Sequence, residues 1–177
     1  YKDFGVGYFS ANFVHFYKIN ISSLVSGFFG SIWTMANAIN ALNDMDLASQ
    51  AFLAIQHSMY AGTDIRFTIR EQGNSTQPSV NLTYSTYQNI DLFLSIERDE
   101  SVGVNGTLYL YVFSDAARQT LIGSNSLALN AKTDFRYLYG LQSLNDAIAS
   151  AESGYLENLE VDAAITPSVT TEPCTAI

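Results

Sequence analysis

The spacing of hydrophobic and polar positions changes several times along this chain, and each change predicts a different element. Over residues 8–21 the spacing is two, so that Phe9, Ala11, Phe13, His15, Tyr17, Ile19 and Ile21 share one face of an extended strand. It then moves toward 3.6. Ser22 or Ser23 offers an N-cap hydroxyl for a helix over 23–43, with Val25, Phe28, Phe29, Ile32, Ala36 and Ile39 as its apolar stripe. Asp46 is placed to cap a second helix with Leu47, Ala51, Phe52, Ile55 and Met59 inward. That helix ends at Gly62, where a left-handed backbone costs nothing.

From Thr63 the spacing returns to two. Ile65, Phe67 and Ile69 alternate with Asp64, Arg66, Thr68 and Arg70, the pattern of a strand with one wet face. Val80, Leu82 and Tyr84 continue it beyond a turn at 73–79, and Ile90, Leu92, Leu94 and Ile96 form a third run. The pair Asn105-Gly106 closes a turn at 101–106 that returns the chain antiparallel. Residues 107–113 follow, with Leu108, Leu110 and Val112 on one side and Tyr109, Tyr111 and Phe113 on the other. Neither side is polar, so this strand is expected at the centre of its sheet or covered on both faces.

Further helices are expected at 114–123, capped by Ser114 or Asp115, and at 134–154, with Phe135, Leu138, Leu141, Leu144, Ile148 and Ala151 as the stripe. A last strand is expected over 155–165. The fold class read from these elements is α+β: an N-terminal strand and helical pair packed on an antiparallel β-meander, with further C-terminal helices. The expected organisation is an arm over 1–22, one domain over 23–165, and a Ser/Thr/Pro-containing tail over 166–177.

Composition narrows what such a domain does. At 177 residues the chain is long enough for a core without staples. Only 14% of it is charged, against a typical ~25%, whereas aromatics reach 13%. Its surface must therefore be covered largely by Ser, Thr, Asn, Gln and Tyr, which fits an extracellular or cell-surface protein, or one whose surface is mostly occupied by partners. A net charge of −9 with eight Lys and Arg argues against nucleic acid, which needs a basic footprint. Residues 19–43 are uncharged and long enough to cross a bilayer, but their Ser, Thr, Asn and Gly speak against a spanning helix.

Candidate chemistry is sparse. His15 and His57 each sit within an apolar pattern, and no close-spaced ligand set accompanies them, so they read as structural histidines and no metal or cofactor is expected. Gly-x-Ser-x-Gly is absent, and Cys174 lies in the tail, where a nucleophile is poorly positioned. An enzyme is therefore not expected. The carboxylates Asp91, Glu97, Asp99 and Glu100 read as a solvated strand end, and Asn43, Asp44 and Asp46 lack the glycine and distal glutamate of a calcium loop. Asn20, Asn74, Asn81 and Asn105 each begin an Asn-x-Ser/Thr glycosylation sequence; Asn74 and Asn105 fall in expected turns.

The first strand carries the most specific expectation. An apolar row at the chain end, preceded by Gly5 and Gly7, suits donation to a neighbouring subunit's sheet, with Phe9, Ala11, Phe13, Tyr17, Ile19 and Ile21 as the assembly strand; the other reading, usual for terminal strands, is that it folds back as a strand of its own domain. The leading expectation is thus a structural glycoprotein subunit of a secreted filament, pilus-like fibre or surface coat, a homo-oligomer or polymer through its terminal segments. The alternative is an extracytoplasmic ligand-binding or sensor domain.

Overall fold

A computed structural model describes residues 1–25, 29–144 and 152–161. Among these the chain forms β1 (Lys2–Asp3), β2 (Phe13–Ser23), β3 (Phe29–Ala36), α1 (Leu42–Leu47), β4 (Phe52–Tyr60), β5 (Asp64–Glu71) and β6 (Ser79–Thr83). It continues with α2 (Tyr84–Tyr87), β7 (Asp91–Asp99), β8 (Thr107–Phe113), β9 (Leu121–Ala128), β10 (Tyr137–Tyr139), β11 (Gln142–Leu144) and β12 (Ser153–Glu160). Two antiparallel sheets face each other. One runs β1-β10-β3-β4-β5-β6, with β11 also paired to β3, and the other runs β12-β2-β7-β8-β9.

The expected α+β class is overturned: the protein is a β-sandwich whose helices, among the described residues, are two short segments. The expected helix over 23–43 contains β3, that over 46–62 contains β4, that over 114–123 ends in the first residues of β9, and that over 134–154 contains β10 and β11. For β3 and β4 the physical reason is burial on both faces. In β3 the inward row includes Trp33 and Met35, and the outward row includes Thr34 and Ala36, yet all four are buried. The outer row is covered by a second small core in which Leu42 and Met45 of α1 close over Ala36, Phe52, Ala54, Tyr137 and Tyr139. A strand buried on both faces loses its alternation, and its apolar residues then fit a helical stripe by chance. Gly62 does take the left-handed backbone, at φ +74°, but it turns the β4–β5 hairpin.

The main core lies between the sheets. Tyr17, Ile19 and Ile21 of β2, Leu92, Leu94 and Ile96 of β7, and Leu108, Leu110 and Val112 of β8 meet Trp33, Leu53, Ile55, Phe67 and Ile69 from the opposite sheet. One side of the sandwich is drawn closed where β6 approaches β9. There Asn125 Nδ2 donates to Ser79 O at 3.0 Å, and Gly123 leaves room for the Val80 side chain.

The amino-terminal residues fold back on their own chain. Arg136 grips Asp3 in a bidentate pair, Nε to Oδ1 at 2.8 Å and Nη2 to Oδ2 at 2.7 Å, and β1 pairs with β10. Phe9 bridges to Phe135.

Candidate functional site

The odd-numbered positions of β7 and β8 point away from the main core, because successive side chains in a strand alternate between its faces. On β8 they include Tyr109, Tyr111 and Phe113, all three partly exposed. The rings of Tyr109 and Tyr111 are parallel to within 7°, with centroids 6.1 Å apart, and Phe113 follows at 6.4 Å. At the ~3.3 Å rise of a strand residue, these three rings make an aromatic ridge on the order of 13 Å long.

Register decides what flanks the ridge. Glu97 stands opposite Tyr109, Ser95 opposite Tyr111 and Phe93 opposite Phe113. On the other side, Ser126 and Ser124 of β9 face Tyr109 and Tyr111. Ser95 Oγ donates to Glu97 Oε1 at 2.8 Å, which fixes the carboxylate beside the rings. Burial, and then the Glu97 charge, raise the Tyr111 phenol above its ordinary pKa, so this hydroxyl keeps its proton at neutral pH.

The next strand adds a wall. Phe16 lies opposite Ser95, and the Arg118 guanidinium sits 4.1 Å over the Phe16 ring. Arg118 reaches it from the loop after β8, which Asp115 shapes by accepting from the backbone N–H of Thr120 at 2.6 Å and of Gln119 at 3.2 Å. Those backbone donors, Thr120 first, hold the Asp115 carboxyl below its ordinary pKa. Burial against the ring lowers the Arg118 pKa, which leaves a guanidinium charged.

Beyond Phe93, a polar network ties β12 to β2 and β7. Lys18 Nζ lies 2.8 Å from Glu157 Oε2 and 3.3 Å from Asp91 Oδ2. Tyr155 Oη donates to Asp91 Oδ1 at 2.6 Å, and Asn20 Nδ2 donates to the same oxygen at 2.8 Å. These bonds, that from Tyr155 first, lower the Asp91 pKa, while Glu157 first and Asp91 next raise that of Lys18.

Aromatic surface beside a fixed carboxylate and several hydroxyls is suited to a ligand with an apolar face and polar edges. Among the described residues no group of three or more His, Cys, Asp or Glu is arranged to hold a metal ion, and no helix is long and apolar enough to cross a membrane. A second concavity, of about 540 Å³, is lined by Tyr1, Lys2, Phe4, Tyr8 and Leu138, with Leu159 of β12 across from them.

The residues singled out in the sequence are scattered. Phe13, Tyr17, Ile19 and Ile21 lie in the main core, with Phe9 beside them, and Ala11 is exposed ahead of β2. Both hydrogen-bonding edges of β2 are filled within the chain, by β7 and β12. His15 is buried between the sheets, and His57 Nε2 lies 2.7 Å from Glu152 Oε1. Asn81 is exposed on β6, whereas Asn20 is buried against Asp91. Asn74 Nδ2 donates to Glu71 Oε2, and Asn105 Nδ2 donates to Asn130 O. Cys174 and the tail over 166–177 lie outside the described residues.

The strand with two apolar sides, expected at the centre of its sheet or covered on both faces, lies inside its sheet between β7 and β9 and presents its aromatic row partly to solvent. Tyr109, Tyr111 and Phe113 were visible as a row; Arg118 and Phe16 had no sequence signal, since a loop brings them together.

The solved structures that this chain matches include the following two. The CBM2 module of the Lactobacillus casei BL23 phage J-1 evolved Dit matches with a TM-score of 0.49 and 11% identity, over 88% of this chain and 65% of its own. The CBM40 of Ruminococcus gnavus IT-sialidase, bound to α2,3-sialyllactose, matches with a TM-score of 0.39 and 10% identity, over 75% of this chain and 61% of its own. The chain therefore spans less than two thirds of the length of either. No protein-family model matches it, and no curated protein does.

Proposed function

We propose that this protein is an extracellular or surface-borne glycan-binding module, which holds an oligosaccharide against the outer face of the β12-β2-β7-β8-β9 sheet. The observation that carries the reading is the ridge of Tyr109, Tyr111 and Phe113, with Glu97 fixed beside it by Ser95. A pyranose ring has a C–H face that packs on an aromatic side chain and an equatorial rim of hydroxyls that seeks acceptors and donors. The ridge supplies the first contact. Glu97, the Tyr hydroxyls and the serines of β9 supply the second. This reading takes up the ligand-binding alternative rather than the fibre subunit, and it assigns the protein no catalytic step.

Screening the protein on an array of immobilised oligosaccharides, followed by calorimetry on the best binder, tests the reading. Tyr111→Ala and Tyr109→Ala are expected to weaken binding at least about tenfold each, corresponding to ~1.4 kcal/mol. Both rings are partly exposed, so the melting temperature should move by no more than about 3 °C. A protein that binds no glycan, or whose binding survives both substitutions, contradicts the proposal.

A further inference from the structure

We infer that this face selects uncharged glycans and rejects those bearing a carboxylate at the contacted sugar. The inference rests on the glycan-binding reading and concerns the charge of the ligand. On the outer face, β7 contributes Asp91, Glu97 and Asp99, and β12 contributes Glu157 and Glu160. Against these stand Lys18 and Arg118.

Neither cation is a ready seat for an acid. Lys18 is already held by two carboxylates, Asp91 and Glu157. Arg118 lies on the Phe16 ring, and the nearby charge of Glu160 offsets part of its pull on an acid. Glu97 sits beside the ridge itself and is ordered there by Ser95. A carboxylate on the sugar over Tyr111 would therefore meet a fixed like charge at short range, in a protein that carries a net charge of −9. Glu97 accepts hydrogen bonds from neutral hydroxyls and repels acids, so one group would provide both affinity and exclusion.

The test uses matched pairs of immobilised oligosaccharides, with and without a terminal sialic acid or with a terminal hexose oxidised to its uronate. The neutral member of each pair is expected to bind at least about tenfold more tightly at low ionic strength, and the gap should narrow as salt is added. Glu97→Gln should narrow it too, by weakening the neutral member and strengthening the acidic one. Arg118→Gln should leave the preference for the neutral member in place. Acidic members that bind as well as or better than their neutral partners, with Arg118→Gln abolishing that binding, overturn the inference while leaving the glycan reading intact. Failure of both members of every pair to bind overturns the glycan reading, and the inference with it.

Discussion

Trp33 Nε1 donates a hydrogen bond to His15 Nδ1 at 3.0 Å, joining β3 of one sheet to β2 of the other inside the main core. Phe13 stacks on the same imidazole, with ring centroids 4.6 Å apart. Because Nδ1 accepts, the ring is neutral in this arrangement. Sequence had marked His15 as one position of an alternating apolar face and as a structural histidine.

The pH dependence of stability follows from that burial. Desolvation lowers the His15 pKa from 6.5 to about 3. Between those values the unfolded chain binds the proton and the folded chain does not, so stability falls as pH drops below about 6.5 and this contribution levels off near 3. By pH 5 the loss should be about 2 kcal/mol. Chemical denaturation at pH 7 and pH 5 measures it. In His15→Phe the two midpoints should lie closer together, because the titrating group is gone. The carboxyls of Asp91, Asp99 and Asp115 are lowered from 3.8, so their own loss of stabilisation falls at still lower pH.

Closure of the sandwich along β6 and β9 depends on Gly123. A Cβ at that position would collide with Val80 Cγ1, and valine has little rotameric freedom with which to withdraw. Gly123→Ala should therefore destabilise the protein by about 1–3 kcal/mol, the usual cost of overpacking. Val80→Ala removes the obstructing atom at the price of a cavity. In a double-mutant cycle from thermal denaturation, the two substitutions together should cost less than the sum of each alone. Additive losses would show that this contact does not limit the approach of the two strands.

How much of this was legible in the sequence follows from which faces are wet. The strands at 64–71, 79–83 and 91–99 could be read because each has inward Ile, Leu, Val or Phe against more polar outward positions, and Asn105-Gly106 marked the return into β8. Strands β3 and β4 could not be read, because α1 and Tyr137 bury their second face and erase the alternation. At the candidate site, Tyr109, Tyr111 and Phe113 were visible as one row of a strand, but the same pattern fitted complete burial. Only the register shows that the row looks outward beside Glu97 and Ser95. The Arg118–Phe16 contact joins residues far apart in the chain through the loop that Asp115 shapes. No local pattern encodes it.

The central claim is that ligand lies on the outer face of β7 and β8. It is tested most directly by following backbone amide resonances of the labelled protein while the best-binding oligosaccharide is titrated in. The account predicts shift changes concentrated at 93–97, at 107–113 and around Arg118, with the opposite sheet unaffected. Changes concentrated instead at Tyr1, Phe4, Tyr8 and Leu159 would place the ligand in the other concavity and contradict it.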